Sequence, residues 1–253
     1  MLLRHARSLL FLPASNARAA EKARGLPCDM VILDLEDAVA DDRKQEARAA
    51  VAATLAQGYP GKLTAIRING TGTKWHGDDM IAARNAKADF IVLPKVESAA
   101  QVHAVYTVTA RPVIAMIESP AGVLAAPSIA AEHGAAGLFL GTNDLRKELG
   151  IPASASRWGI MMALQSVVLA ARASGIAVFD GVYNRLDEAG PVENGQLPDD
   201  GPGRHIDRRP DQHLPGFGGD ELRHLGPGRG DLHRPDRMGH AAHQVGIFLL
   251  CRP

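Results

Sequence analysis

Cysteine is nearly absent from this chain. Cys28 and Cys251 are the only two in 253 residues, too few and too far apart for a disulfide framework or a thiolate metal site. That scarcity fits a reducing compartment, so a cytoplasmic location is expected. Long hydrophobic runs are missing too: nowhere do about 18 apolar residues follow one another, so a membrane span has no support. The opening MLLRHARSLLFLPASNA imitates a secretory leader, but its apolar run from Leu9 to Leu12 is shorter than a leader core of about 7–15 residues. It reads as a first strand. An excess of one charge is also lacking, since 28 basic residues balance 28 acidic ones. No overall field then recruits nucleic acid or an anionic membrane surface. The partner left to consider is a small molecule.

Up to about residue 188, short strand-like runs alternate with Ala-rich helical stretches. The runs are SLLFLP (8–13), MVILDLE (30–36), LTAIRIN (63–69), FIVLPK (90–95), PVIAMIE (112–118), GLFLGTN (137–143) and IAVFDG (176–181). Strands separated by helices imply a parallel sheet, because each return to the same edge needs a crossover. Near-continuous apolarity means strands covered on both faces. Among the helices, Asp41 to Leu55 is rich in Ala, Arg and Lys, and Ser119-Pro120 supplies an N-cap and a first-turn proline. A closed eight-fold barrel, for which about 250 residues is typical, and an open doubly wound sheet both fit this alternation. No G-x-G-x-x-G follows the first strand, which weakens the dinucleotide-binding form of the second.

Composition then breaks. Residues 190–253 hold 12 Gly, 8 Pro, 8 Arg and 6 of the 10 His but no Lys, whereas all seven Lys lie at or before position 147. The division expected is a catalytic barrel domain over 1–189 and an atypical tail over 190–253. The tail has neither a period of 2 nor one of 3.6. It reads as irregular chain, native or translated out of frame. VGIFLL at 245–250 is the only run there that could replace a strand. Without a legible eighth strand, the barrel is expected to stay open along its first and seventh strands.

Two of the runs end on acids, PVIAMIE at Glu118 and GLFLGTND at Asp144. Acids at the carboxyl ends of neighbouring parallel strands sit where barrel and open-sheet active sites form. Two hard oxygen ligands with no Cys or His beside them suit Mg²⁺ better than Zn²⁺. VILDLEDAV places Asp34, Glu36 and Asp37 at the end of the second strand, where they repel one another unless a cation or donors compensate. Arg67 sits inside an apolar strand and needs an anion. A substrate carboxylate matches its planar fork, and so does one of the local acids. Lys95 ends the fourth strand in the same manner. Gly141-Thr142-Asn143 makes a turn into a helix whose backbone N–H groups could face an oxyanion, while His76 is expected in solvent.

RSLLFLPASN, VILDLEDAV, AIRING, VLPKVES, AMIESPAGV, GTNDL and FDGVYN, in this order and spacing, resemble the citrate lyase β-subunit-like branch of the HpcH/HpaI aldolase family, from about Arg7 to Asp187. That resemblance implies a TIM (β/α)8-type barrel with Mg²⁺ as cofactor. The implied activity is carbon–carbon lyase chemistry on a 3-hydroxyacyl-CoA thioester of the malyl-CoA, citramalyl-CoA or citryl-CoA kind. The partners are a CoA thioester and a small 2-oxoacid, and a homo-oligomer is expected if the barrel is intact. By the same likeness Glu118 and Asp144 are the metal ligands. Arg67, Glu118, Gly141, Thr142 and Asn143 bind substrate, and Arg67, Glu36 and Asp37 carry the catalysis. A malyl-CoA thioesterase and a non-catalytic or inactivated subunit of a lyase complex are the alternatives. The family's eighth strand, with its G-F-D-G-K-x-x-I-H-P-like motif, and the helical segment after it have no counterpart here.

Overall fold

Seven apolar runs become seven parallel strands in sequence order: β1 Ser8–Pro13, β2 Met30–Asp34, β3 Leu63–Arg67, β4 Phe90–Leu93, β5 Val113–Ile117, β6 Ala135–Leu140 and β7 Ala177–Tyr183. This computed structural model describes residues 2–152, 155–183 and the strand β8 Ile247–Leu250. The helices α1 Ala17–Arg24, α2 Lys44–Ala56, α3 His76–Asn85, α4 Ala99–Thr109, α5 Pro120–Ala130, α6 Thr142–Glu148 and α7 Met161–Ala173 fall between the strands. Ser119 caps α5 as its sequence suggests, its Oγ accepting from Gly122 N with Pro120 at the first helical position. No helix of the described residues is long and apolar enough to cross a membrane.

The eight strands close into a barrel. Closure differs from the open barrel anticipated from the sequence. Ile247–Leu250, within the one apolar run of the tail, pairs antiparallel with β1 (Leu9 opposite Phe248) and with β7 (Val182 opposite Phe248). The free edges of β1 and β7 present unpaired backbone groups, and an apolar segment is the natural partner for them. An antiparallel closing strand departs from the all-parallel closure of eight-fold barrels. Of the irregular or out-of-frame tail expected over 190–253, all but Ile247–Leu250 lies outside the described residues.

Strand parity divides the core into two layers. Leu9, Phe11, Met30, Ile32, Ala65, Val92, Ile114, Met116, Phe139 and Phe179 point into the barrel and pack as one cluster. Leu10, Leu12, Val31, Leu33, Ile66, Ile91, Leu93, Ala115, Ile117 and Leu138 face outward and meet the helices. Phe139 is the hub of the inner layer, its ring 5.8 Å from Phe11 and 5.0 Å from Phe179 between centroids. Truncating so buried a ring to Ala costs about 3–5 kcal/mol. The same parity continues to the carboxyl ends, where position 34 follows 30 and 32, position 67 follows 65, and position 118 follows 114 and 116. Asp34, Arg67 and Glu118 therefore share the inward side. The barrel interior is apolar below and charged at its top.

Candidate active site

The pairing of β2 with β3 sets Asp34 beside Arg67. Arg67 Nε and Nη2 donate to Asp34 Oδ1 and Oδ2 at 2.7 and 2.5 Å. Asp34 also accepts from the backbone N–H groups of Glu36 and Ala38, which folds the acidic segment over the strand end. The other edge of the guanidinium, Nη1, lies 2.9 Å from Glu36 Oε2 and 3.6 Å from Asp37 Oδ2. The fork thus binds local acids along both edges and lies over the Phe11 ring. Burial opposes its charge, but Asp34 and then Glu36 outweigh that and hold the Arg67 pKa above its ordinary value.

Around this pair opens a cavity of about 430 Å³, within the usual range for a small-molecule site. Phe11, Met116, Leu140 and Val182 supply its apolar wall, and Asp37, Arg67, Lys95, Glu118, Asp144 and Lys147 supply charge. Gly141, Thr142 and Asn143 also line it. Glu36 is not among the lining residues. It is buried behind them, touching Arg67 and standing 3.5 Å from Lys95 Nζ. Burial, partly offset by Arg67, raises its pKa to about 7.

Glu118 follows β5 directly and is 5% exposed. Its Oε2 is buried with no hydrogen-bond partner. Burial first, then the neighbouring charge of Glu36, pushes its pKa up to about 8. A carboxylate left this way invites a cation. Asp144, the second acid, occupies the first turn of α6 and not the strand end expected from its sequence, because the chain turns into the helix at Gly141. Gly141 N–H donates to Ile117 O, so this amide is committed to the fold and not to an oxyanion. The residue has a different use. A Cβ there would lie 2.3 Å from Glu118 Cγ and 2.7 Å from its Oε1, so glycine is required for Glu118 to cross in front of α6. Thr142 and Asn143 open the helix, where first-turn N–H groups have no intrahelical acceptors.

Sequence reasoning missed a polar network behind the acidic segment. Lys44 is buried, with Nζ donating to Leu35 O, Glu36 O and Asn69 Oδ1 at 2.8, 2.7 and 2.9 Å. Asn69 is held by Asp79, which Arg48 grips in turn. His76, expected in solvent, is half-buried with Nδ1 2.8 Å from Asn69 O. No local pattern marks these residues, since the contacts join positions 7 to 31 apart. The interrupted strand AIRIN, ending on a polar Asn69, was the one available hint.

Among the described residues no group of three or more His, Cys, Asp or Glu is arranged to hold a metal ion by itself. Four carboxylates line the one cavity, and with Asp34 bonded to Arg67 and Asp37 near its other edge, Glu118 and Asp144 remain as an all-oxygen pair. That suits Mg²⁺, which keeps several waters and takes one or two protein carboxylates together with substrate oxygens.

The model of the HpcH/HpaI aldolase/citrate lyase family matches residues 7–196. This chain belongs to that family. It is 46% identical over 187 residues to (3S)-malyl-CoA thioesterase of Cereibacter sphaeroides (strain ATCC 17029 / ATH 2.4.9), an alignment covering 73% of this chain and 66% of that protein. The citrate lyase β subunit of Escherichia coli K12 is 33% identical over 199 residues, with the same two coverages. The chain thus spans just under two thirds of the length of these relatives. Among solved structures, the citrate lyase β subunit of M. tuberculosis complexed with oxaloacetate and magnesium superimposes with a TM-score of 0.65 at 37% identity, covering 74% of this chain and 82% of that one. A structure of the M. tuberculosis protein CitE with magnesium, acetoacetate and coenzyme A gives 0.63 at 36% identity, covering 73% and 68%.

Proposed function

We propose that this chain is a Mg²⁺-dependent carbon–carbon lyase acting on a 3-hydroxyacyl-CoA thioester of the malyl-CoA type, giving an acyl-CoA and a 2-oxoacid or running the reverse condensation. The observation that carries the reading is the buried, unpartnered Oε2 of Glu118 on a cavity that Asp144 also lines. Family membership supports a CoA-ester substrate, and solved relatives were crystallised with magnesium and oxaloacetate or coenzyme A.

Glu118 and Asp144 would hold the ion. Bound Mg²⁺ supplies a Lewis acid for the carbonyl and carboxylate oxygens of the oxoacid half. Arg67, fixed by Asp34, presents positive charge where cleavage leaves negative charge on the acyl fragment. Asp37 has a side chain 60% exposed and lines the cavity, so it can meet a bound molecule directly. Glu36 acts from behind by holding Arg67 and Lys95. Thr142 and Asn143 offer first-turn amides to a substrate oxygen.

The 46% identity to a malyl-CoA thioesterase favours a second reading, hydrolysis of the same thioester. One assay separates them. Incubating malyl-CoA with the chain and Mg²⁺ gives glyoxylate and acetyl-CoA for a lyase but free malate and CoA for a thioesterase. Neither product from a chain that binds Mg²⁺ would identify a non-catalytic subunit. Glu118→Gln and Asp144→Asn should each weaken Mg²⁺ binding by about tenfold, or 1.4 kcal/mol. Unchanged affinity by calorimetry in either variant would remove the metal assignment.

A further inference from the structure

Lys95 is built unlike any other charged residue of the site. It is one of two non-glycine residues with positive φ among the described residues, at φ 53°. A left-handed backbone is unfavourable for a side chain with a Cβ, and persists where the surrounding structure holds it. Strand parity shows what the conformation achieves. Ile91 and Leu93 point outward to the helices, and position 95 continues their alternation. An extended backbone there would aim the lysine toward the helix layer. With the turn, Lys95 lines both the main cavity and an adjoining one of about 210 Å³ that it shares with Glu118, Asp144 and Lys147.

The ammonium is held loosely. Its side chain is 56% exposed, and its ion contact with Glu36 Oε1 is 3.5 Å long, at the outer limit for a hydrogen bond. Arg67 differs, with both edges of its fork against acids. Burial works against the Lys95 charge, yet Glu36, Asp37, Glu118 and Asp144 together keep its pKa above the ordinary lysine value. Two of those acids are the residues assigned to Mg²⁺.

We propose that Lys95 is a tethered counter-ion of the metal site: its ammonium balances the carboxylates when no metal ion is bound, and metal binding releases it to grip the carboxylate of an oxoacid substrate. The inference rests on Glu118 and Asp144 being metal ligands. A metal ion brings the charge that Lys95 otherwise supplies, so the two compete. Once the acids are satisfied by the metal, a flexible ammonium at the cavity wall is the cation free to meet an incoming anion. Lysine suits this exchange better than arginine, because it is a compact point charge on a rotatable stem.

Calorimetry with Mg²⁺ alone, then with oxalate at saturating Mg²⁺, tests it on wild type and three variants. Lys95→Met should bind Mg²⁺ about threefold tighter or more, because a like charge has left the site. It should bind oxalate roughly tenfold more weakly, because a charge-assisted contact is gone. Lys95→Arg keeps the charge and should stay near wild type for Mg²⁺. Lys95→Gly should copy the methionine variant in both titrations while melting no lower than wild type, since glycine adopts positive φ without penalty. It therefore carries the test if the methionine variant does not fold. Unchanged or weaker Mg²⁺ binding, or unchanged oxalate binding, in the charge-free variants overturns the proposal while leaving the metal site standing. A wild-type chain that gives no Mg²⁺ binding overturns the metal reading and this inference with it.

Discussion

Replacing Gly141 with Ala adds one methyl group at the place where the structure has least room for it. The new Cβ would sit 2.3 Å from Glu118 Cγ, 2.7 Å from Oε1 and 2.9 Å from Cδ, whereas ordinary contact begins at 3.4 Å. Glu118 must therefore retreat by about 1 Å or change rotamer, and overpacking of this kind costs about 1–3 kcal/mol. Backbone strain does not enter, because Gly141 has φ −82° and ψ 74°, outside the positive-φ region that alanine avoids. Gly→Ala also restricts the unfolded chain, which returns about 0.4–1 kcal/mol of stability. The fold should then lose little, while the clash falls on a proposed metal ligand. Mg²⁺ affinity is expected to drop by roughly ten- to a hundredfold, since each 1.4 kcal/mol is a factor of ten. Calorimetry alongside a thermal melt reads both quantities. Gly77→Ala is the control, because nothing lies within 4 Å of a Cβ there. A folded Gly141→Ala protein with wild-type Mg²⁺ affinity would refute the claim that this glycine exists to let Glu118 pass.

Metal-free protein should lose stability as pH rises from about 5 to 8. Glu36 and Glu118 have folded pKa values of about 7 and about 8 against an ordinary 4.5, so the native state binds more protons than the unfolded chain across that window. Melts at pH 5.5 and 8.5 check the sign, Glu118→Gln should flatten the slope, and a rise in stability with pH would contradict it. Asp34→Asn should destabilise the chain by about 3–5 kcal/mol by removing the buried partner of Arg67. Arg67→Met should be similarly costly, since it strands Asp34 and Glu36; chemical denaturation of both variants measures this, and a loss under 1 kcal/mol would show that the pair is dispensable.

The strands were legible because a parallel sheet covered on both faces writes itself as uninterrupted apolar runs. Every boundary of β1 to β7 falls within a few residues of those runs. The acids at 34, 36, 37 and 118 were legible for the same reason, because an apolar run that stops on a carboxylate stops where the barrel opens. Asp144 was assigned to a strand end because GLFLGTND gives no sign of where strand yields to helix; the turn is made at Gly141, where the side chain of Glu118, 23 positions earlier, leaves no room for a Cβ. Lys44 could not be recognised, since a lysine at a helix start normally points to solvent, and only the folded chain supplies the three oxygens that surround it. The φ of Lys95 is likewise a tertiary property. As for Arg67, substrate and local acid were both consistent with a guanidinium in an apolar strand. The register of β2 against β3 decides its resting partner in favour of Asp34.

Charge balance explains why so unfavourable a cluster fits one ion in particular. Asp34, Glu36, Asp37, Glu118 and Asp144 face Arg67, Lys95 and Lys147, so five acids meet three bases and two negative charges are left over if every group ionises. Lys44 does not alter this, because its ammonium is engaged by two backbone carbonyls and an amide oxygen. Without a metal the protein can reduce the excess by keeping protons, and Glu36 and Glu118, whose pKa values are raised first by burial and then by neighbouring acids, are the groups placed to keep them. A divalent cation removes the same excess without protons. It does so at Glu118, whose buried Oε2 has no hydrogen-bond partner and, unlike that of Glu36, no guanidinium against it, so an unsatisfied buried group and the proposed ligand are one residue. Pairing Glu118 internally would stabilise the barrel and abolish the site. That exchange of stability for binding is the pattern expected where a fold carries chemistry.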